Sequence, residues 1–328
     1  MIEIVAGAAL ATVQDLGRVG ALNLGVGVAG AMDPMALAAG NILLGNEEGA
    51  AAIEIPVFPF TVRFTEPTRF AVTGTDCAPA LDGKAVPPWF ACRAQAGQSL
   101  TLSVPGPSAW RATRAYLCVA GGIDVPVVLG SRSTQMRGAF GGHEGRPLQT
   151  GDLVPTHAAD RAGPDVGLVP PVFDLPLDVD GVPAVRVLPA AEYDAFTPQA
   201  QASLWSCAWK ITPQSDRYGF RLAGDELKPR VPLELRSHGI VPGVIQVPHG
   251  GQPIIQMRDA QPSGGYPKIG VVIEADLWRL GQAPPGSRIR FAPCTWDEAL
   301  DAAAGNRRWL DKARRIAGLQ HRAGEGGR

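Results

Sequence analysis

The stretch Arg18-Val19-Gly20-Ala21-Leu22-Asn23-Leu24-Gly25-Val26-Gly27-Val28-Ala29-Gly30 holds a literal GxGxxG, and its reading decides the fold. A dinucleotide fingerprint follows a buried strand, opens a helix directly and sits within a βαβ unit. Glu54 lies at a tolerable distance beyond, and a helix does follow. Yet Arg18 to Asn23 does not make a buried strand, and no βαβ alternation continues after it. The stretch therefore reads as a Gly-rich turn. It places backbone N–H groups near the positive end of the next helix, a setting that suits an anion or a carbonyl oxygen.

Outward from that turn the chain reads as mainly β. Its 40 glycines and 30 prolines punctuate short apolar stretches, as many strands joined by turns require. In Leu100-Thr101-Leu102-Ser103-Val104 apolar and polar residues alternate strictly, the pattern of a half-buried strand. Further strands are expected at 52–64, 69–74, 99–104, 112–120, 184–188, 239–247, 253–257 and 268–273. Helices are few. Asp33-Pro34 supplies an N-cap and a first-turn proline for a helix to Leu44. Thr295-Trp296-Asp297-Glu298 is a capping box, opening a helix to about Leu319 with Trp296, Leu300, Ala303, Leu310, Ala313 and Ile316 on its packed face.

Periodicity fades between Pro155 and Pro183, which divides the chain into a β domain at 1–165, a second at 180–294 and a C-terminal helix at 295–320. Val104-Pro105 and Gly121-Gly122 in the first half echo Val247-Pro248 and Gly264-Gly265 in the second at equal spacing, a hint of duplication. Such a pattern favours two β-barrels or sandwiches.

Composition narrows the function. Apolar residues make up 45% and charged residues 19%, and 30 Lys plus Arg face 31 Asp plus Glu. No overall field favours nucleic acid or an anionic membrane. Apolar runs are too short for a membrane helix, and residues 1–20 lack the order of a secretory signal, so a cytoplasmic protein is expected. The five cysteines form no CxxC, and the five histidines form no HxxH or HxxxH, so neither a disulfide framework nor a metal site is expected. Cys118 reads as a reduced core thiol. There is no P-loop, no GxSxG elbow and no Met-Lys-Met site for covalent biotin.

What remains is a set of polar residues in Gly-rich turns: Gln14-Asp15-Leu16-Gly17-Arg18, Gly130-Ser131-Arg132-Ser133-Thr134, Ser215-Asp216-Arg217-Tyr218-Gly219, and Asp259 through Tyr266. A guanidinium grips a carboxylate or phosphate at two points, so Arg18, Arg132 and Arg217 are candidate contacts for a substrate anion. The rival reading pairs them structurally with Asp15 or Asp216.

These turns, with Gly30-Ala31-Met32-Asp33-Pro34, Gly45-Asn46, Tyr116–Gly122, Gly141–Gly145, Val241–Pro248 and Gly264-Gly265-Tyr266-Pro267, resemble the KipA/allophanate-hydrolase-subunit-2 family in the family's own order. The match runs from about residue 2 to residue 292. Two departures stand out. The family's Asp-x-Gln-Thr-Thr-Gly-Gly-Tyr-Pro carries Pro262 and Ser263 in place of the threonines, and an acid frequent before its Gly-Ile/Val is here His238.

The resemblance implies tandem cyclophilin-like β-barrel domains, a KipI-type partner chain and a LamB/YcsF-type partner chain. It implies a subunit of an ATP-dependent 5-oxoprolinase, inactive alone, with ATP handled in the assembly and a small lactam or amide as substrate. Two alternatives stand beside it: carboxyl transfer from biotin supplied in trans to urea or a related amide, and non-enzymatic antagonism of a KipI-type inhibitor. On the family motifs, Asp33 and Asp259 are the expected proton-handling residues. Substrate binding is expected from Gln14, Asp15, Arg18, Gly30, Ala31, Met32, Ser131, Arg132, Ser215, Arg217, Gly264, Gly265 and Tyr266. Arg217 or Arg132 holds a carboxylate, and amides of Gly30–Met32 or Gly264–Gly265 polarise the lactam oxygen. Alanine at Arg217, read as an exposed cleft residue, is expected to cost activity more than stability.

Overall fold

Alternating burial builds the strands of this protein. In the computed structural model, residues 1–106, 112–158, 163, 165–233 and 235–325 are described, with side chains through Leu319. They fall into two units. One comprises Met1–Arg18, Ala29–Asp174 and the chain from Arg307 onward, the other Val19–Val28 and Leu175–Asn306.

In the first unit the elements run β1 (Ile2–Ala6), β2 (Thr12–Gln14), α1 (Pro34–Leu44), β3 (Ala52–Ile55), β4 (Phe60–Phe64), β5 (Thr68–Gly74) and β6 (Ala80–Leu81). They continue with β7 (Lys84–Ala85), β8 (Ala91–Ala94), β9 (Ser99–Leu102), β10 (Ala115–Val119), β11 (Leu153–Val154) and the single turn α2 (Pro171–Asp174). One sheet has the order β11-β1-β4-β9-β6-β7 and the other β2-β3-β10-β5-β8. Both face one core. Ile2, Ile4, Phe60, Val62, Phe64, Leu100 and Leu102 come from the first sheet, and Val13, Ile53, Ile55, Phe70, Val72, Leu117 and Val119 from the second. Each such side chain contributes about 1.5–3 kcal/mol by leaving water. Phe64 and Phe70 stack across that core with ring centroids 5.1 Å apart. Strand β10 is buried at every position because α1 covers its other face. Gly40 permits that approach, since a Cβ there would lie 2.6 Å from the Cys118 sulfur. Cys118 is the core thiol the sequence suggests, its pKa pushed up to about 12 by burial.

In the second unit β12 (Asp178–Val179), β13 (Val182–Pro189), α3 (Pro198–Ser206), β14 (Trp209–Ile211), β15 (Gly219–Ala223), β16 (His238–Gly239) and β17 (Val244–Gln246) come first. Then follow β18 (Ile254–Gln256), β19 (Ser263–Gly264), β20 (Lys268–Val272), α4 (Leu277–Gln282) and β21 (Arg288–Pro293); α5 (Trp296–Glu325) starts in this unit and from Arg307 belongs to the first. The order β13-β20-β17-β18-β15-β14-β21 closes on itself through a parallel β13–β21 pairing, Val185 opposite Phe291. The result is a closed barrel of seven strands. Strands β16 and β19 form a separate ribbon.

The fold is mainly β, with a C-terminal helix. Several elements differ from the sequence reading. The run 52–64 is two strands, broken at Pro56–Pro59, and 239–247 is a ribbon strand and a barrel strand separated by a turn. Helix α3 went unread although Thr197-Pro198 repeats the Asp33-Pro34 start, with Thr197 Oγ1 accepting from Ala200 N. The α5 capping box forms, Thr295 N donating to Glu298 and Glu298 N to Thr295. Its packed face is corrected. Trp296 and Leu300 are exposed, and the buried positions are Ala302, Trp309, Leu310, Ala313 and Ala317. The duplication echo does not hold locally, since Gly121-Gly122 follows β10 at positive φ whereas Gly264 lies inside β19 without it. Among the described residues no helix is long and apolar enough to cross a membrane.

Candidate functional site

In the first unit the Gln14–Arg18 turn and the Gly130–Thr134 turn are stitched together by their own polar side chains. Asp15 Oδ1 accepts from Ser131 Oγ (2.7 Å), Ser133 Oγ and Gly17 N (2.8 Å), and Oδ2 accepts from Arg132 N (2.6 Å). Arg18 is 0% exposed. Its guanidinium donates to the carbonyls of Val128 and Ser133 and lies over the Phe140 ring. Arg132 donates to the Val125 carbonyl and faces Asp124 at 3.7 Å. Gln14, fully buried, donates to Thr12 Oγ1 at 2.9 Å. Asp15, Arg18 and Arg132 thus hold loops together, and neither arginine pairs its guanidinium with Asp15 as the structural reading supposed.

The Gly30-Ala31-Met32-Asp33 segment presses against this platform. Gly30 sits at φ +87, where a Cβ would lie 2.8 Å from the backbone of Gly17. Ala31 N donates to Asp15 O at 2.8 Å, and Met32 N donates to Glu54 Oε2 at 2.8 Å. The Ala31 and Met32 amides, two of those expected to polarise a substrate oxygen, thus already have acceptors inside the protein. Asp33 is fully buried and caps α1, its Oδ1 accepting from Ala36 N at 2.9 Å.

Glu54 and Tyr116, which the sequence did not mark as site residues, complete the network. The Tyr116 hydroxyl accepts from Asp33 N at 2.7 Å and donates to Glu54 Oε2 at 2.8 Å. Arg114 lies 3.7 Å from Glu54 Oε1. The available signal was a Glu and a Tyr in fully buried strand positions, where a charged or polar side chain needs a partner. Burial, followed by the charges of Glu54 and Asp33, raises the Tyr116 pKa well above that of a free phenol. Tyr116→Phe is therefore expected to leave the phenolate absorbance of the native protein unchanged up to about pH 11, where exposed tyrosines have ionised. A wild type with one extra phenolate over this range contradicts the network.

In the second unit Arg217 grips Asp259 at two points, Nε to Oδ2 at 2.8 Å and Nη2 to Oδ1 at 2.9 Å. Asp259 is 1% exposed in its side chain and Arg217 14%. The pair is a buried clamp, reinforced by Asp259 N donating to Arg217 O. Asp216, the partner suggested by sequence, instead accepts from Tyr218 N and Gly219 N in a turn. Ser215 Oγ accepts from Arg221 N and fixes that same turn.

Gly264, Gly265 and Tyr266 lie one turn further along the chain. Gly264 pairs with His238 in the ribbon, and a Cβ on Gly265 would lie 2.9 Å from Leu235 O. Tyr266 is half-exposed, edge-on to His249 at 6.1 Å. With Leu233, Leu235 and Gly265 these two rings line an open pocket of about 370 Å³. Beneath it Gln256 Nε2 donates to Gln246 Oε1, and Gln246 reaches the Tyr266 carbonyl. This loop, and not the Gly25–Gly30 turn, lines a concave pocket that combines two aromatic rings and two leucines with polar surface, a setting for a small molecule. No group of His, Cys, Asp and Glu among the described residues is arranged to hold a metal.

Comparison with known proteins adds four findings. Residues 24–293 match the family model described as carboxyltransferase domain, subdomain A and B. The chain is 41% identical over 318 residues to a 5-oxoprolinase subunit of Escherichia coli, with 95% of this chain and 97% of that protein covered. It is 43% identical over 317 residues to a 5-oxoprolinase subunit of Haemophilus influenzae, with 96% and 98% covered. Among solved structures, the Kluyveromyces lactis urea carboxylase superposes with a TM-score of 0.86 at 28% identity, covering 95% of this chain and 29% of that one.

Proposed function

We infer the function of a chain that belongs to the carboxyltransferase-domain family, subdomain A and B: it serves as one subunit of a 5-oxoprolinase, the assembly that opens the lactam of 5-oxoproline to glutamate. The observation that carries this reading is the near-equal length and high identity shared with the two bacterial subunits. A KipI-type chain and a LamB/YcsF-type chain complete the enzyme.

ATP supplies the energy that activates the lactam and is held by a partner chain. The described residues at the α1 N-terminus do not fit a triphosphate. The α1 N-terminus already carries the Asp33 carboxylate, and the Ala31 and Met32 amides are engaged. What this chain contributes is binding and proton placement. The pocket beside Gly265 and Tyr266 seats the five-membered ring, and the Arg217–Asp259 clamp is the charge pair a substrate carboxylate would have to enter. A carboxylate that takes Arg217 would displace Asp259 from the guanidinium.

A second reading, carboxyl transfer from biotin supplied in trans to a urea-like amide, is favoured by the likeness to urea carboxylase. The third, sequestration of a KipI-type inhibitor, entails binding without turnover. The experiment is glutamate release from 5-oxoproline by the chain with both partner chains and ATP. The expected result is turnover by the complete set and none by the chain alone. Full turnover by the isolated chain, or urea-dependent consumption of carboxyl-biotin with no 5-oxoproline hydrolysis, overturns the reading.

A further inference from the structure

His238, Pro262 and Ser263, the positions at which this sequence departs from its family's pattern, converge on one small element. His238 and Gly239 pair with Gly264 and Ser263 across the β16–β19 ribbon, and Ile240 N donates to the Pro262 carbonyl. Lys268 begins β20, after the three residues Gly265, Tyr266 and Pro267. Its Nζ lies 2.5 Å from His238 Nε2 and 2.8 Å from Glu192 Oε2.

The hydrogen-bond roles follow from the partners. His238 Nδ1 lies 2.9 Å from the Arg236 carbonyl, which can only accept, so Nδ1 carries the hydrogen. Nε2 is then an acceptor, and the Lys268 ammonium donates to it. His238 therefore holds the Gly265–Pro267 loop at both ends, by backbone pairing at Gly264 and by its ring at Lys268. That loop carries Tyr266 into the pocket described above.

We propose that His238 is a positioning residue for the Gly264–Tyr266 loop, a clasp that holds only while its imidazole is uncharged. A protonated ring has no lone pair for Lys268 and sets a second cation against the first. The charged groups tied to the ring are Lys268 on β20 and, through it, Glu192 before the Tyr193–Ala195 turn; Arg236 on its own segment meets the ring by its carbonyl, and His249 stands edge-on to Tyr266. Glu192 also accepts from Lys268 N at 3.0 Å, so the lysine keeps its acid partner when the histidine is lost. Acidification thus parts the ribbon from the Lys268 end of the loop, while the backbone pairing at Gly264 and the Lys268–Glu192 pair both remain.

The clasp itself stands on geometry, and its catalytic consequence rests on the 5-oxoprolinase reading. The test therefore has two arms. In the first, amide hydrogen exchange of residues 263–268 is followed on the full chain between pH 5.5 and 7.5, corrected for intrinsic rates. His238→Ala is expected to exchange roughly ten-fold faster at pH 7.5, the size of one hydrogen bond to a charged group. His238→Gln supplies both an acceptor for Lys268 and a donor for Arg236, and is expected to match the wild type at pH 7.5 and to keep that protection under acidification that loosens the wild type. In the second, the assembled enzyme with His238→Ala shows a raised KM with a smaller change in kcat. The wild type loses kcat/KM relative to His238→Gln by roughly ten-fold on acidification. Identical exchange in wild type, His238→Ala and His238→Gln overturns the clasp. Exchange as expected in an assembly that does not hydrolyse 5-oxoproline overturns the functional reading and leaves the clasp standing.

Discussion

Arg217→Ala is expected to destabilise the protein by about 3–5 kcal/mol, the cost of leaving one partner of a buried ion pair uncompensated. Asp259 is the partner at risk, with its side chain 1% exposed and both carboxylate oxygens held by the guanidinium. On a unit of this size the melting temperature should fall on the order of 10 °C. From sequence alone Arg217 reads as an exposed cleft residue whose loss costs activity before stability, and the burial of Asp259 reverses that order. Arg217→Lys keeps the charge but contacts one oxygen, so its loss should be intermediate. The double variant Arg217→Leu, Asp259→Leu removes both charges and should recover much of the stability while remaining inactive. Calorimetry of the four proteins checks this. A melting temperature for Arg217→Ala within about 2 °C of the wild type means that Asp259 is not buried as charge.

Much of the β architecture was legible because its cause is local. Alternation in Leu100–Leu102 follows from a two-residue period, and the starts at Asp33-Pro34 and Thr295–Glu298 follow from unpaired amides in a first helical turn. Barrel closure was not legible, because the parallel β13–β21 pairing joins residues more than a hundred positions apart and leaves no mark on either strand. The resemblance to a family singled out these loops but not the direction their side chains take. Asp, Ser and Arg in Gly-rich turns look like groups facing water or a ligand. When two such turns meet, as at Asp15 and Ser131, their donors and acceptors satisfy one another and the residues become the interior of a junction. The motif is then a rigid support within the first unit, while in the second unit Gly265 and Tyr266 line an open pocket.

Asp15 is the residue on which that junction depends, and its replacement should show it. In Asp15→Ala the hydroxyls of Ser131 and Ser133 and the amides of Gly17 and Arg132 lose their acceptor together. Each buried donor left unpaired costs about 1–3 kcal/mol, and water entering the junction offsets part of the sum, so a loss of about 3–5 kcal/mol is expected. Asp15→Asn separates shape from charge. Its oxygen can still serve the two hydroxyls and Gly17, but its amide nitrogen then meets the Arg132 N–H, a donor facing a donor, and a loss of about 2 kcal/mol should remain. Ser131→Ala and Ser133→Ala each remove one donor to the carboxylate and leave one amide, Ser133 N or Asp15 N, without its acceptor, so each should cost about 1–2 kcal/mol, still less than Asp15→Ala. Urea denaturation midpoints of the four variants give the ranking directly. An Asp15→Ala midpoint equal to that of either serine variant means that the carboxylate is not the hub and that the two turns are held by something else. The ranking also bears on function, since Asp15 O accepts from Ala31 N and so sets the Gly30–Asp33 segment. A chain that retains partner binding and 5-oxoproline hydrolysis in proportion to its folded fraction would mark Asp15 as a support. Loss of turnover in fully folded Asp15→Asn would place its charge in the chemistry.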